Sequence, residues 1–311
     1  MKASNEIRER ILELKRKLNA VIAAHNYQRP EVQDIADFYG DSLELARECA
    51  KVDADVIVLC GVRFMAESAA ILNPERTVLL AEGSAGCPMA DMIDVDDLRE
   101  WKQRYPQAAV VCYVNSSAAV KAESDVCCTS ANAIEVVESL PNNEILFIPD
   151  RHLGHYISTK TDKRIILYPG YCPPHQRLKL AHLKLGKELH PDAVVLVHPE
   201  CSAEVIAQAD AALSTSQMIR YVKGSDRDTF LIGTEEGILH RMRQENPGKN
   251  FHLLTTGLRC PDMKKTTLES IVRTMEERRN IVKVSEEVRV RAKHALDGMI
   301  GVSSKGLREL R

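Results

Sequence analysis

The chain has 311 residues, 44% hydrophobic and 28% charged, with 42 Lys and Arg against 44 Asp and Glu. The near-cancelling charge excludes a broad basic field for nucleic acid, and no apolar run approaches the ~18 residues of a membrane span. The composition is that of a soluble globular protein, long enough for one large domain or two to three small ones.

Met1 to Lys17 is charged and amphipathic and lacks the apolar stretch of a signal peptide, so a cytoplasmic location is expected. Disulfides are rare there, so the nine cysteines call for burial, metal or reactivity as their reason. A helix is predicted over Asn5–Leu18. The apolar run Ala20–Ala24 follows and ends in His25-Asn26-Tyr27. Amphipathic Glu31–Asp37 leads to Ser42 and a helical run, Leu43–Lys51. Then come a strand at Asp55–Leu59, a helix at Arg63–Leu72, a strand at Thr77–Ala81, and Cys87-Pro88.

The same order then returns twice. Ala108–Cys112 precedes Tyr113-Val114-Asn115, with Ser130, the helical run Ala131–Ser139, strands at Glu144–Ile148 and Arg164–Tyr168, and Cys172-Pro173. Ala193–Val197 precedes His198-Pro199-Glu200, with Thr215, the helical run Gln217–Lys223, strands at Thr229–Ile232 and Phe251–Thr255, and Cys260-Pro261. The triplets start 88 and then 85 residues apart, the hydroxyl always falls 17 residues later, and the cysteine falls 62, 59 and 62 residues later. A helical tail is predicted from about Thr267 to Leu296.

Short apolar runs alternating with amphipathic segments specify parallel strands covered by helices. The expected fold is α/β: three pseudo-symmetric repeats, each a small α/β/α sandwich with a parallel sheet, arranged about a central cavity. Four strands are expected per repeat, the second short. Repeat 1 spans 1–88, with C-terminal helices over 261–311 packing on it; repeat 2 spans 89–172 and repeat 3 spans 173–260.

In a parallel sheet, ligands gather outside the carboxyl ends of the strands. The triplets, the hydroxyls and the Cys-Pro pairs all fall there. Three symmetry-related thiolates suit a [4Fe–4S] cluster, whose threefold axis leaves one iron without a protein ligand. Such an iron is open to a substrate oxygen or nitrogen. Cys87, Cys172 and Cys260 are therefore the expected metal ligands. Cys49, Cys60, Cys112, Cys127 and Cys128 read as small core residues, and Cys201 is a ligand candidate without repeat partners. The Ser and Thr positions read as N-caps whose helix ends would attract carboxylates or phosphates. Arg63, Arg151, His152, His155, Glu235 and Glu236, after the third-formed strands, are second-line candidates.

Three repeats carrying His-x-Tyr, Tyr-x-Asn, His-Pro-Glu and widely spaced Cys-Pro pairs resemble the quinolinate synthase family over essentially the whole chain. The resemblance implies a condensing transferase of de novo NAD biosynthesis. It joins iminoaspartate to dihydroxyacetone phosphate, giving quinolinate, phosphate and two waters with the help of an open-site [4Fe–4S] cluster. It implies Cys87, Cys172 and Cys260 as cluster ligands. It implies that His25, Ser42, Tyr113, Asn115, Ser130, His198, Glu200 and Thr215 surround the substrate, and that Tyr27 assists acid–base steps. Glu200 is the expected base, with Tyr27 and His198 as proton partners. Some longer members carry a CxxCxxC segment at the third ligand; here Cys260 stands alone after Leu258-Arg259. The expected partners are small molecules, with transient contact to an aspartate-oxidising enzyme, and neither nucleic acid nor membrane. The alternatives are an electron carrier with a cluster held at the same cysteines and a repeat scaffold with core cysteines.

Overall fold

A computed structural model describes residues 2–309, with side chains described for 5–302. The first sheet holds β1 (Ala20–His25), β2 (Phe38–Gly40), β3 (Val56–Cys60) and β4 (Thr77–Leu80). The second holds β5 (Ala109–Tyr113), β6 (Val126–Cys128), β7 (Glu144–Ile148) and β8 (Arg164–Leu167). The third holds β9 (Val194–Val197), β10 (Ala211–Ala212), β11 (Thr229–Gly233) and β12 (Asn250–Leu253). The strand orders are β2-β1-β3-β4, β6-β5-β7-β8 and β10-β9-β11-β12, one topology used three times. Every pairing is parallel, and helices cover the faces. The α/β fold is thus the one the periodicity predicts.

One aspartate per repeat explains why the second strand is short in all three. Asp37, Asp125 and Asp210 precede β2, β6 and β10, and each accepts a strand N–H through Oδ2, from Ile22, Val110 and Val195, at 2.7 Å. Each also donates its own N–H to that residue's carbonyl. Side chain and backbone together do the work of a strand residue, so pairing starts only beyond them.

The first and second repeats share one apolar core, whereas the third has its own on each face of its sheet. The seam between the third repeat and the first is polar. Gln33 Nε2 donates to the Gly237 carbonyl at 2.9 Å, and His240 Nε2 lies 2.7 Å from Asp34 Oδ1.

The tail divides. Helix Leu268–Glu277 lies against helix Lys2–Leu18 and strands β3 and β4, on the first repeat. Helix Glu286–Glu309 departs from the expectation and lies mainly against helix Ala118–Ala122 and β6 of the second repeat. Its buried Ala292, Ala295, Leu296 and Met299 complete the core that the first two repeats share. Gly298 permits the approach, since a Cβ there would come within 2.9 Å of Val126. Residues 310–311 of the expected tail lie outside the described residues. No helix among the described residues is long and apolar enough to cross a membrane.

Candidate active site

The carboxyl ends of the three sheets face one cavity. Four expected residues from each repeat line it. They are His25, Tyr27, Ser42 and Cys87; Tyr113, Asn115, Ser130 and Cys172; and His198, Glu200, Thr215 and Cys260. No Lys or Arg lines it among the described residues.

Two of the three helix ends reach the cavity as expected. Ser42 and Thr215 open helices Ser42–Cys49 and Thr215–Gly224. Asp41 already takes the N–H groups of Leu43 and Glu44, and Ser214 takes that of Gln217. In the second repeat the helix starts later, at Ala133, so Ser130 sits in a turn rather than at a helix end. Thr129 and Asn132 close that turn through the Thr129 N–H and the Asn132 Oδ1, 2.8 Å apart.

The histidines of the first and third triplets are fixed alike. His25 Nδ1 accepts the Tyr27 N–H at 3.1 Å, and His198 Nδ1 accepts the Glu200 N–H at 3.2 Å. A ring with Nδ1 accepting carries its proton on Nε2. His198 then offers that proton to Ser130 Oγ, 3.1 Å away. Burial pushes both imidazoles down to about 3 against the opposing charge of Glu200. They are neutral hydrogen-bond donors at neutral pH.

Acid stability follows with a definite sign. The native histidines resist protonation while the unfolded chain takes protons below its ordinary value of 6.5. The stability they contribute is complete above that value and is lost as pH falls toward 3, by about 1.4 kcal/mol per pH unit for each. In urea titrations, His198→Gln is expected to flatten the decline between about pH 6 and 4 by one proton's worth of slope. A slope equal to wild type would contradict the neutral assignment.

A hydrogen-bonded chain crosses the cavity floor. The Tyr27 hydroxyl lies 2.6 Å from Thr234 Oγ1, which lies 2.8 Å from His175 Nε2. His175 Nδ1 lies 2.5 Å from Glu200 Oε2, and the Tyr113 hydroxyl donates to Glu200 Oε1 at 2.5 Å. Burial raises the carboxyl of Glu200, but His198, His175 and the hydrogen bonds from His175 and Tyr113 outweigh it and hold the group ionised. Burial, then the charge of Glu200, pushes both phenols well up, so they remain protonated.

Cys87, Cys172 and Cys260 are free, half-buried thiols opening on this cavity. Burial pushes Cys87 up to about 12, Cys260 up to about 11 and Cys172 well above its ordinary value. Charge on Cys260 raises Cys87, and charge on Cys87 raises Cys172, as expected of three close thiols. The other six cysteines are buried and outside the lining, Cys201 included. Cys172, His175 and Glu200 also form a group whose donor atoms lie within 4.8 Å of one another, able to hold a metal ion. His175 and Glu200 are engaged with Thr234, Tyr113 and each other, and Cys172 Sγ lies 3.2 Å from His175 Nδ1.

Of the second-line candidates, only Glu235 lines the cavity. Arg63 holds the Gly83 carbonyl, Arg151 and His152 meet Gln176, and Glu236 pairs with Arg259. His155 is exposed. Sequence reasoning missed His175 and Thr234. His175 lies one helical turn beyond Cys172 on helix Pro173–Gln176, so the Cys-Pro-Pro-His spacing carried a signal. Thr234 directly follows β11, on the same rim.

Comparison with known proteins agrees. A model of the family described as quinolinate synthetase A protein matches residues 9–301. A quinolinate synthase of Thermodesulfovibrio yellowstonii is 51% identical over 301 residues, covering 96% of this chain and 99% of its own length. One from Geobacter sp. is 55% identical over 284 residues, covering 91% of this chain and 93% of its own. Quinolinate synthase 1 of Methanosarcina acetivorans is 52% identical over 297 residues, covering 96% and 98%. Matched along nearly its whole length, this chain belongs to the quinolinate synthetase A protein family.

Proposed function

We propose that this chain is a quinolinate synthase. It condenses iminoaspartate with dihydroxyacetone phosphate and releases quinolinate, phosphate and two waters, a step of de novo NAD biosynthesis. The observation that carries the reading is the meeting of three free thiols and one acid–base hydrogen-bond chain in a single cavity. Cys87, Cys172 and Cys260 fit a [4Fe–4S] cluster, since thiolates are its usual ligands and these three come from equivalent positions of three repeats. Bound there, the cluster would keep one iron free of protein ligands and supply a Lewis acid.

The chain's own residues account for the rest. The substrates carry two carboxylates and a phosphate, yet no cationic side chain among the described residues lines the cavity. Neutral donors must hold these anions: the Nε2–H groups of His25 and His198, the amide of Asn115, and the hydroxyls of Ser42, Ser130 and Thr215. The helix ends at Ser42 and Thr215 add their partial positive charge. Neutral donors exact little desolvation and leave the product easier to release than buried cations would.

Keto–aldo isomerisation, ring closure and dehydration all move protons. Glu200 is the ionised base. Its proton has a route through His175 and Thr234 to Tyr27, and Tyr113 donates to the other carboxylate oxygen. His198 keeps its proton on Nε2 and serves as a donor, while His175 takes the place of proton partner. Iminoaspartate is unstable, and supply by transient contact with an aspartate-oxidising enzyme belongs to the same reading.

The test is an anaerobic assay with both substrates, following quinolinate and phosphate. Equal yields of the two are expected, together with a change in the cluster spectrum on adding a substrate-like dicarboxylate. An electron carrier would make no quinolinate, and its spectrum would ignore the dicarboxylate.

A further inference from the structure

Glu235 is fully buried and Lys264 nearly so. Lys264 Nζ lies 3.0 Å from Glu235 Oε1 and 3.1 Å from Oε2. The carboxylate has further partners. Oε1 accepts the backbone N–H of Cys260 at 3.1 Å, and Oε2 accepts that of Gly237 at 2.7 Å. The ammonium also donates to the Tyr27 carbonyl at 2.6 Å. At Gly237 the Tyr27 backbone comes so close that a Cβ would sit 2.7 Å from its carbonyl carbon and oxygen. One ion pair therefore ties the loop of a thiol in the third repeat to the loop of a phenol in the first.

The repeat supplies a control. The positions equivalent to Glu235 are Val62 and Asp150, two residues beyond the ends of β3 and β7. Val62 has no charge. Asp150 caps helix Arg151–Ser158 through the N–H groups of His152 and Leu153 and faces the backbone N–H of Cys172 without a lysine at the position equivalent to Lys264. The residues four beyond Cys87 and Cys172, equivalent to Lys264, are Asp91 and Gln176. The fold is built twice without the pair, so the pair answers a local need of the third repeat. A buried ion pair is seldom more stabilising than apolar residues of the same volume, which points to position rather than stability.

We infer that Glu235 and Lys264 are positioning residues that set the Cys260 thiol and the Tyr27 hydroxyl on the cavity together. The inference rests on the enzymatic reading above. Glu235 fixes the peptide that presents Cys260, and Lys264 fixes the peptide that presents Tyr27. Both act through the peptide groups they hold.

The two arms separate experimentally in the anaerobically purified holoenzyme. Glu235→Gln is expected to release iron to a chelator about tenfold faster, the usual size of an effect behind a metal ligand. Lys264→Met leaves the Cys260 N–H its acceptor. It is expected to hold iron like wild type while kcat falls about tenfold with KM unchanged, a loss that Lys264→Arg restores. Iodoacetamide labelling of the iron-depleted chain, read by mass spectrometry, gives a metal-free measure. Cys260 should label several-fold faster in Glu235→Gln while Cys87 stays at its wild-type rate. If a single variant fails to fold, the double variant Glu235→Gln/Lys264→Met, with neither charge left, must show both effects. Wild-type iron release and wild-type Cys260 labelling in Glu235→Gln, or wild-type kcat in Lys264→Met, would overturn the inference. A wild-type protein that makes no quinolinate would instead strike the enzymatic reading and leave the labelling result to stand on its own.

Discussion

Glu200→Gln is expected to make quinolinate about a thousandfold more slowly than wild type while keeping its fold and its iron. The amide matches the carboxylate in shape and still accepts from the Tyr113 hydroxyl. It cannot take a proton from substrate, and it cannot pass one to His175. Circular dichroism and iron content should match wild type, and KM should move little, because the lost interaction belongs to the proton-transfer steps. A variant turning over at the wild-type rate would remove Glu200 from the mechanism.

Thr234→Val is expected to cost about a hundredfold in kcat, with a smaller effect on KM. Among the described residues, the Thr234 hydroxyl links the Tyr27 hydroxyl to His175 Nε2. Valine keeps the volume and removes the link, leaving two buried polar groups without their partner. Thr234→Ser should restore most of the rate, since it returns the oxygen and deletes only a methyl. A purely structural role predicts the reverse order: serine, with its lost methyl, would then be no better than valine. Measuring kcat for the three side chains decides between them.

These two residues also show where sequence reading stops. The repeat was legible because each copy needs the same aspartate to start its second strand, the same apolar runs for its buried sheet, and the same Cys-Pro pair at the rim. Twelve cavity residues, four per repeat, lie on the triplets, hydroxyls and cysteines of that register. His175 and Thr234 did not follow, because they break the register. The residues equivalent to His175 are Ala90 and Met263, and those equivalent to Thr234 are Gly61 and Pro149. A threefold arrangement can hold a symmetric group, but a reaction that treats two different substrates differently needs asymmetric groups. Those fall where the repeats differ, and self-comparison is blind there.

The tail was half legible for a different reason. Amphipathic spacing gives the buried face of a helix but not the groove that receives it. Helix Leu268–Glu277 lies on the first repeat, yet the longer helix after it fills the core between the first and second. The anion-binding expectation was sharpened by similar detail. One of the three expected helix ends is a turn in the second repeat, and two are partly satisfied by Asp41 and Ser214. In the proposed function the two neutral histidines, whose Nδ1 atoms accept backbone N–H groups, are given more of that work than sequence suggested.

The account stands on three thiols sharing one task in one cavity. Anaerobic iron and sulfide analysis of wild type and Cys87→Ala, with a quinolinate assay on each, tests it most directly. Wild type should hold about four irons and four sulfides per chain. Cys87→Ala should lose most of both, and its quinolinate synthesis with them. A wild type without that iron, or a Cys87→Ala variant as active as wild type, would contradict the account.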